Sequence, residues 1–279
     1  QVFRARDRSL SSGSPLPEPA QTRTPPQTGR PTGAALSMAA LERCLPGDVE
    51  LVLFDMAGTT VDDLICGEPL IIAAFRAALR AHDGSEATFD QANAVRGYEK
   101  REALRKLLSS IRGLQDAAAV EESEVEKLFA LFKVELDKLT AFMDTEVVGT
   151  SATFDALRKR GVKICVGSGF PDHVVQGIVK NMGWAVDAAF SSEALGAGRP
   201  DPVMVTAAME RCGVTDPRRV VKVGDTVVDV EEGRNAGVFT VSVLTGTQSR
   251  DKLAAAGPDC IIPSVADLPL VFQWPQSST

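Results

Sequence analysis

The chain has no CxxC pair, and its five cysteines, Cys44, Cys66, Cys165, Cys212 and Cys260, are odd in number and widely spaced. That pattern argues against a disulfide framework or a zinc site and for reduced thiols. No apolar run approaches the roughly 20 residues that cross a bilayer, so no membrane partner is expected. Basic residues are also short: Lys+Arg 30 against Asp+Glu 37 leaves a net charge of -7, which gives no general attraction to nucleic acid or anionic membrane. Any basic site must therefore be local. Histidine is nearly absent, and His82 and His173 read as surface or packing residues.

What is present supports one compact enzyme, because 279 residues with 44% hydrophobic content can bury a substantial core plus a smaller domain. Residues 1–45 are different material, rich in Arg, Ser, Thr, Pro and Gly and poor in acids. That composition predicts disorder, as either a transit segment or an upstream extension before Met38. Prolines 15, 17, 19, 25 and 26 would break the amphipathic helix of a mitochondrial signal. The expectation is a soluble intracellular protein, in the cytoplasm or, if the segment is a transit peptide, in a plastid or mitochondrion.

The run Val52–Asp63, VLFDMAGTTVDD, is an apolar strand ending in an aspartate followed by Gly-Thr-Thr. Val52, Leu53 and Phe54 have the continuous character of a central parallel strand, which puts Asp55 at the carboxyl edge where open α/β sheets bind ligands. Gly58 lets backbone amides approach an anion, and the Thr59 hydroxyl can donate to one. The bland alternative is a strand terminus whose Asp starts a turn. From Glu68 to Phe142 apolar residues recur at i, i+3, i+4 spacing, as in Leu70, Ile71, Ala74 and Phe75, which predicts a helical insertion over the site.

From Thr150 the pattern becomes helix, Gly, strand, with glycines at 161, 183, 213 and 237 closing helices that carry cations in their last turns. Four such units predict a doubly wound parallel sheet. Three strand ends carry candidate chemistry. Ser168 and nearby amides such as that of Gly169 could hold an oxyanion, although taken alone the stretch reads first as a plain Gly-Ser turn. Arg199, in GRPDP before a helix, offers a fork of five donors to a phosphoryl group, or is a surface arginine. Asp225 and Asp229 in GDTVVD lie four apart at a strand-to-helix junction, on one face, and suit Mg2+; helix capping by Asp225 is the alternative.

Together these motifs resemble the haloacid dehalogenase superfamily and, within it, the phosphonatases, over roughly residues 50–243. DxAGTT is the phosphonatase form of the first motif, with Ala57 where the wider superfamily carries a second aspartate as general acid. Arg199 in AGRPDP matches the arginine that phosphonatases use in place of the usual lysine. Lys100, in Arg96-Gly97-Tyr98-Glu99-Lys100, matches a cap lysine that forms a Schiff base with the substrate aldehyde. Repulsion from Arg96 and Arg101 would lower its pKa and Glu99 and Glu102 would oppose this, and the alternative for the stretch is a solvated helix face. Ala103 stands where that family carries a histidine, Phe170 where it carries a tyrosine, and Cys66 matches its cap-hinge cysteine if one residue is inserted.

The resemblance implies a Rossmann-like α/β core at 46–64 and 146–272, an all-helical cap at 65–145 and a tail at 273–279. It implies Asp55 as nucleophile, Mg2+ held by Asp55, the Ala57 carbonyl and Asp225, and Asp229 orienting the metal's surroundings. Arg199, Ser168, Gly169, Gly58 and Thr59 would hold the phosphoryl oxygens, and Lys100 would form the imine. The expected partner is a small-molecule phosphonate or phosphate, with a homodimer allowed. Two other readings remain: a Mg-dependent phosphate-monoester phosphatase on the same core, and a non-catalytic binding protein.

Overall fold

The computed structural model describes residues 44–140 and 143–274. The run Leu51–Asp55 forms β1, with all five residues buried, as expected of a strand covered on both faces. Parallel to it run β4 (Lys163–Ser168), β5 (Ala188–Ser191), β6 (Val220–Gly224), β7 (Phe239–Val243) and β8 (Cys260–Ile262), in the order β5-β4-β1-β6-β7-β8. The chain winds outward from β1 to β5, returns to β6 beside β1, and then winds the other way. Asp55 therefore ends the strand at which the winding reverses, where a crevice opens.

Alternation along the strands feeds two packed faces. Leu51, Leu53, Cys165 and Val220 meet α8 (Val203–Cys212) through Met204, Val205 and Ala208. Val52, Phe54, Ile164 and Val166 share the opposite core with Phe154 and Leu157 of α5 (Thr150–Arg158) and with Val174, Val175 and Ile178 of α6 (Asp172–Asn181). The Phe54 and Phe154 rings lie 5.0 Å apart in that second core.

Between β1 and α5 the helical expectation holds, with α1 (Leu70–Asp83), α2 (Phe89–Ala94), α3 (Lys100–Arg112) and α4 (Glu122–Thr140). α1 packs along α4, where Phe75 and Phe132 meet at 5.1 Å between ring centroids. The structure adds a hairpin that helical periodicity hid, β2 (Leu64–Ile65) with β3 (Glu68–Pro69). Its two-residue turn is Cys66-Gly67, with φ +50° and +84°, so both central residues take the left-handed region that such tight hairpins require.

Two boundaries move. Leu45, placed with the disordered segment, is fully buried and bridges Phe272. Gln273 donates its amide to Leu45 O, and Trp274 stacks on Phe272 at 4.4 Å, so the tail's first two residues belong to the core. Residues 1–43, which hold nearly all of that segment, and residues 275–279 lie outside the described residues. No helix among the described residues is long and apolar enough to cross a membrane.

Candidate active site

After β1 the chain turns within four residues. Met56 O accepts the amides of Thr59, Thr60 and Val61 at 3.1, 2.9 and 2.8 Å, and Gly58, at φ +82°, donates its own amide to Val61 O at 2.9 Å. This corrects the expected phosphate cradle, because the Gly58 and Thr59 amides are already committed inside the turn. The Thr59 hydroxyl is engaged as well, donating to Asp225 Oδ1 at 3.2 Å. Thr59 thus orients Asp225.

Asp55, Ser168, Arg199, Asp225 and Lys100 all line one small cavity of about 20 Å³, together with Arg96, Gly97, Thr226, Phe170 and Ile71. That volume holds roughly one water. Arg199 is buried, and its Nη1 lies 2.8 Å from Asp55 Oδ1, an ion pair that does not align as a hydrogen bond. The same Nη1 donates to Asp229 Oδ1, and Arg199 Nε has no hydrogen-bond partner among the described residues. Burial works against the charge, yet Asp229 and Asp55 outweigh it and hold the guanidinium protonated. The surface-arginine alternative is thereby removed. Ser168 Oγ accepts the Phe170 amide at 3.3 Å, and Gly169 packs so closely on Lys100 that an added Cβ would fall 2.8 Å from Nζ.

Asp229 faces Arg199 rather than open space. Its Oδ1 lies 3.1 Å from Lys222 Nζ, and its Oδ2 accepts the Thr226 amide at 3.2 Å and the Thr226 hydroxyl. Thr226 caps α9 (Val227–Ala236), which leaves Asp225 free of the capping role that was its alternative. Burial opposes ionisation of Asp229, but Arg199 and Lys222 reverse the balance and hold its carboxyl below the usual range.

The fit to a divalent cation rests on Asp225. Carboxylate oxygens of Asp55, Asp225 and Asp229 lie within 4.8 Å of one another. Asp225 Oδ2 is buried without a hydrogen-bond partner among the described residues, and a Cβ on Gly246 or Gly58 would fall 1.8 or 2.9 Å from it. Burial first, then the neighbouring Asp55 and Asp229, push Asp225 up to about 8 despite the opposing charge of Arg96. Hard carboxylate oxygens in a space kept clear by two glycines suit Mg2+. In a second cluster, His82, Asp83 and Glu124, Arg112 pairs with both acids and His82 contacts Glu124, and His173 pairs with Asp137 at the surface.

Lys100 opens α3. Glu99 caps that helix, accepting the amides of Arg101 and Glu102 at 2.8 and 3.1 Å, and so fixes Lys100 in the first turn. Its amine is buried, donates to Tyr98 O at 3.1 Å and lies 5.8 Å from the Phe170 ring centre. Burial lowers it to about 8, helped by Arg199 and then Arg96, and opposed by Asp55 and Glu99. Arg101, expected to contribute repulsion, turns away to Glu126 and the Phe129 ring.

Sequence reasoning missed Lys222 and Glu232, which form a buried pair at 3.0 Å behind Asp229. The signal was a single lysine inside the apolar strand VVKVG, since a lone buried charge demands a partner. It also missed Asp63, which accepts from Arg96 Nη2 at 2.8 Å.

Comparisons with known proteins give the family. The haloacid dehalogenase-like hydrolase family matches residues 49–237. The phosphonoacetaldehyde hydrolase of Latilactobacillus sakei is 29% identical over 272 residues, covering 82% of this chain and 98% of its own. That of Bacillus cereus (strain AH187) is 32% identical over 209 residues, covering 71% and 77%. Among solved structures, a phosphonoacetaldehyde hydrolase like protein from Oleispira antarctica superposes with TM-score 0.68 at 27% identity, covering 80% of this chain and 91% of that one. With a strand-end aspartate at the point where the sheet reverses its winding, and an arginine and two further acids around it, the chain belongs to the haloacid dehalogenase-like hydrolases.

Proposed function

We propose that this hydrolase cleaves the C–P bond of a 2-oxoalkyl phosphonate, phosphonoacetaldehyde or a relative, through a lysine imine and an aspartyl-phosphate. The observation that carries the reading is the Lys100 amine, enclosed in the cavity that Asp55 also lines and lowered to about 8. A buried amine near neutrality is the form that adds to a carbonyl. The two curated relatives above are phosphonoacetaldehyde hydrolases by name, which supports the same class.

In this scheme Lys100 adds to the aldehyde and loses water to give an imine, which protonates on nitrogen. An Asp55 oxygen then attacks phosphorus as the P–C bond breaks, and the released electron pair becomes an enamine conjugated with that nitrogen. Protonation of the enamine carbon and hydrolysis return the aldehyde product and free Lys100, while water releases phosphate from Asp55. Arg199 orients the Asp55 carboxylate and offers its unpartnered Nε to a phosphoryl oxygen, Ser168 can donate its hydroxyl to another, and Asp229 holds Arg199 in place. Asp55, the Ala57 carbonyl and Asp225 would hold Mg2+, which when bound neutralises charge on the phosphoryl oxygens. Ala57 offers no acid to protonate a leaving oxygen, and an enamine leaving through carbon needs none.

The test is borohydride added during turnover of phosphonoacetaldehyde, with peptide mapping of any adduct. A reduced adduct on Lys100 is expected. Turnover that survives Lys100→Ala with no trapped adduct, or phosphate release from esters alone, overturns the reading in favour of a phosphate-monoester phosphatase.

A further inference from the structure

The cation nearest the free oxygen of Asp225 is a side chain of the helical insertion. Arg96, in the turn between α2 and α3, is buried, and its Nη2 donates to Ala57 O at 3.1 Å and to Asp63 Oδ2 at 2.8 Å. The same Nη2 lies 3.9 Å from Asp225 Oδ2, and Nη1 donates to Thr247 Oγ1 at 3.2 Å. Gly58 makes room for this approach, since a Cβ there would lie 2.8 Å from Nη2. The turn that carries Arg96 sits flush on the sheet side: Gly97, at φ +96°, would place a Cβ 2.6 Å from Thr226 Oγ1, and the Thr247 hydroxyl donates to Asn93 Oδ1.

One acceptor of Nη2, Ala57 O, and the carboxylate oxygen it faces at 3.9 Å, Asp225 Oδ2, therefore belong to two of the three groups read above as cation ligands. A guanidinium and a divalent cation cannot both sit favourably on one carbonyl and one carboxylate oxygen, because like charges at contact distance in a dry site repel strongly. Asp63, which is not among the proposed ligands, offers the guanidinium an acceptor it keeps in either state.

We propose that Arg96 competes with the divalent cation for Ala57 O and Asp225 Oδ2, so that the α2–α3 turn is clamped to the sheet when the metal is absent and loosened when it binds. The inference rests on the reading of Asp55, Ala57 and Asp225 as the cation site and adds what regulates it. Since Lys100 follows four residues after Arg96 and shares its cavity, the cation then also sets how firmly the imine-forming amine is held. Metal occupancy and access to Lys100 become linked equilibria, and linkage of this kind commonly spans 5–150-fold in affinity.

The experiment uses the full chain with Mn2+ as probe, read by calorimetry and by electron paramagnetic resonance, with Asp225→Asn identifying which binding belongs to this site. Arg96→Gln should bind Mn2+ about tenfold more tightly than the natural protein. Arg96→Lys keeps the charge but loses the fork that reaches Ala57 O and Asp63 together, so it should also bind more tightly. In hydrogen exchange, Mn2+ should speed exchange at residues 94–100 of the natural protein and have little effect in Arg96→Gln, where that segment already exchanges faster. Equal Mn2+ affinity in all three proteins, natural affinity retained by Arg96→Lys, or no Mn2+ response at 94–100 would each overturn the competition while leaving the metal site standing. Absence of Asp225-dependent Mn2+ binding from every variant would instead remove the metal reading itself, and the competition with it.

Discussion

The sheet side of the cavity and the helical side handle charge differently. On the sheet side, Arg199 lies between Asp55 and Asp229, and Asp229 is shared with Lys222, which also holds Glu232. Each of these five groups has an opposite charge within contact, whereas Asp225 beside them has none closer than Arg96 at 3.9 Å. On the helical side, Lys100 has the Tyr98 carbonyl as its one hydrogen-bond acceptor among the described residues, while the acid beside it, Glu99, is turned to capping α3. Its place in the first turn of a helix adds the unfavourable end of the dipole. The sheet side can thus be read as holding a nucleophile in one geometry, whereas the helical side presents an amine with little reason to stay charged. That contrast is what imine chemistry beside phosphoryl transfer calls for.

Removing the proposed nucleophile should break the sheet side's chemistry most completely. Asp55→Asn should lower turnover by roughly 10³-fold or more with the fold intact by circular dichroism, because an amide cannot form the acyl phosphate. Near-normal phosphate release from a well-folded Asp55→Asn protein would refute the assignment of Asp55.

The next effect is on stability. Lys222→Met leaves Glu232 buried opposite an apolar chain and removes one of Asp229's two cations, so unfolding by denaturant should show a loss of about 3–5 kcal/mol. Adding Glu232→Leu should recover much of it, since an apolar pair of similar volume replaces the ion pair. A Lys222→Met protein as stable as the natural one would show that the network does not carry charge compensation.

Lys100 sharpens the contrast through pH. Its amine is lowered to about 8 in the folded protein from 10.5, so between those values the unfolded chain binds more protons than the folded one. Stability therefore rises with pH across that window, and burying the charged form costs most below it. Lys100→Met should be more stable than the natural protein at pH 7 by on the order of 2–3 kcal/mol, with the difference vanishing above the unfolded value. Chemical denaturation at pH 7 and pH 10.5 measures both. A constant difference between the two pH values would mean that Lys100 is not depressed.

Much of this arrangement was legible because strands buried on both faces leave continuous apolar runs, and β1, β4, β6 and β7 were found that way. β5 was not: Ala188–Ser191 is short, small and only partly buried, and such a segment has no run to read. The hairpin at Cys66-Gly67 escaped because its turn lacks the usual Asn-Gly signal. Within the site, strand ends pointed to positions 55, 168, 199 and 225 and only the family resemblance added 100, and the fold brings all five to one cavity. The Gly58 and Thr59 amides went astray because a glycine that permits close approach of an anion also permits a turn that uses its own amides. Arg96 read only as a cation repelling Lys100, since sequence spacing gives no sign that the α2–α3 turn folds back onto Ala57.

The smallest expected effect concerns Ala57 itself. Its carbonyl points at Arg96, and its side chain stands two residues past Asp55, half-buried at the cavity wall. A carboxylic acid at this position could protonate a departing alkoxide, which an alcohol leaving group needs and an enamine does not. Ala57→Asp should therefore raise phosphate release from monoesters relative to phosphonoacetaldehyde, by about tenfold in the ratio of kcat/KM values. That gain lies below the usual 10²-fold of a well-placed general acid, because Arg96 would draw the new carboxylate toward itself and keep it ionised. The double variant Ala57→Asp, Arg96→Gln should release more of the effect. An unchanged ratio in both proteins, or efficient ester hydrolysis by the natural Ala57 enzyme, would count against carbon as the leaving atom and favour the monoester phosphatase.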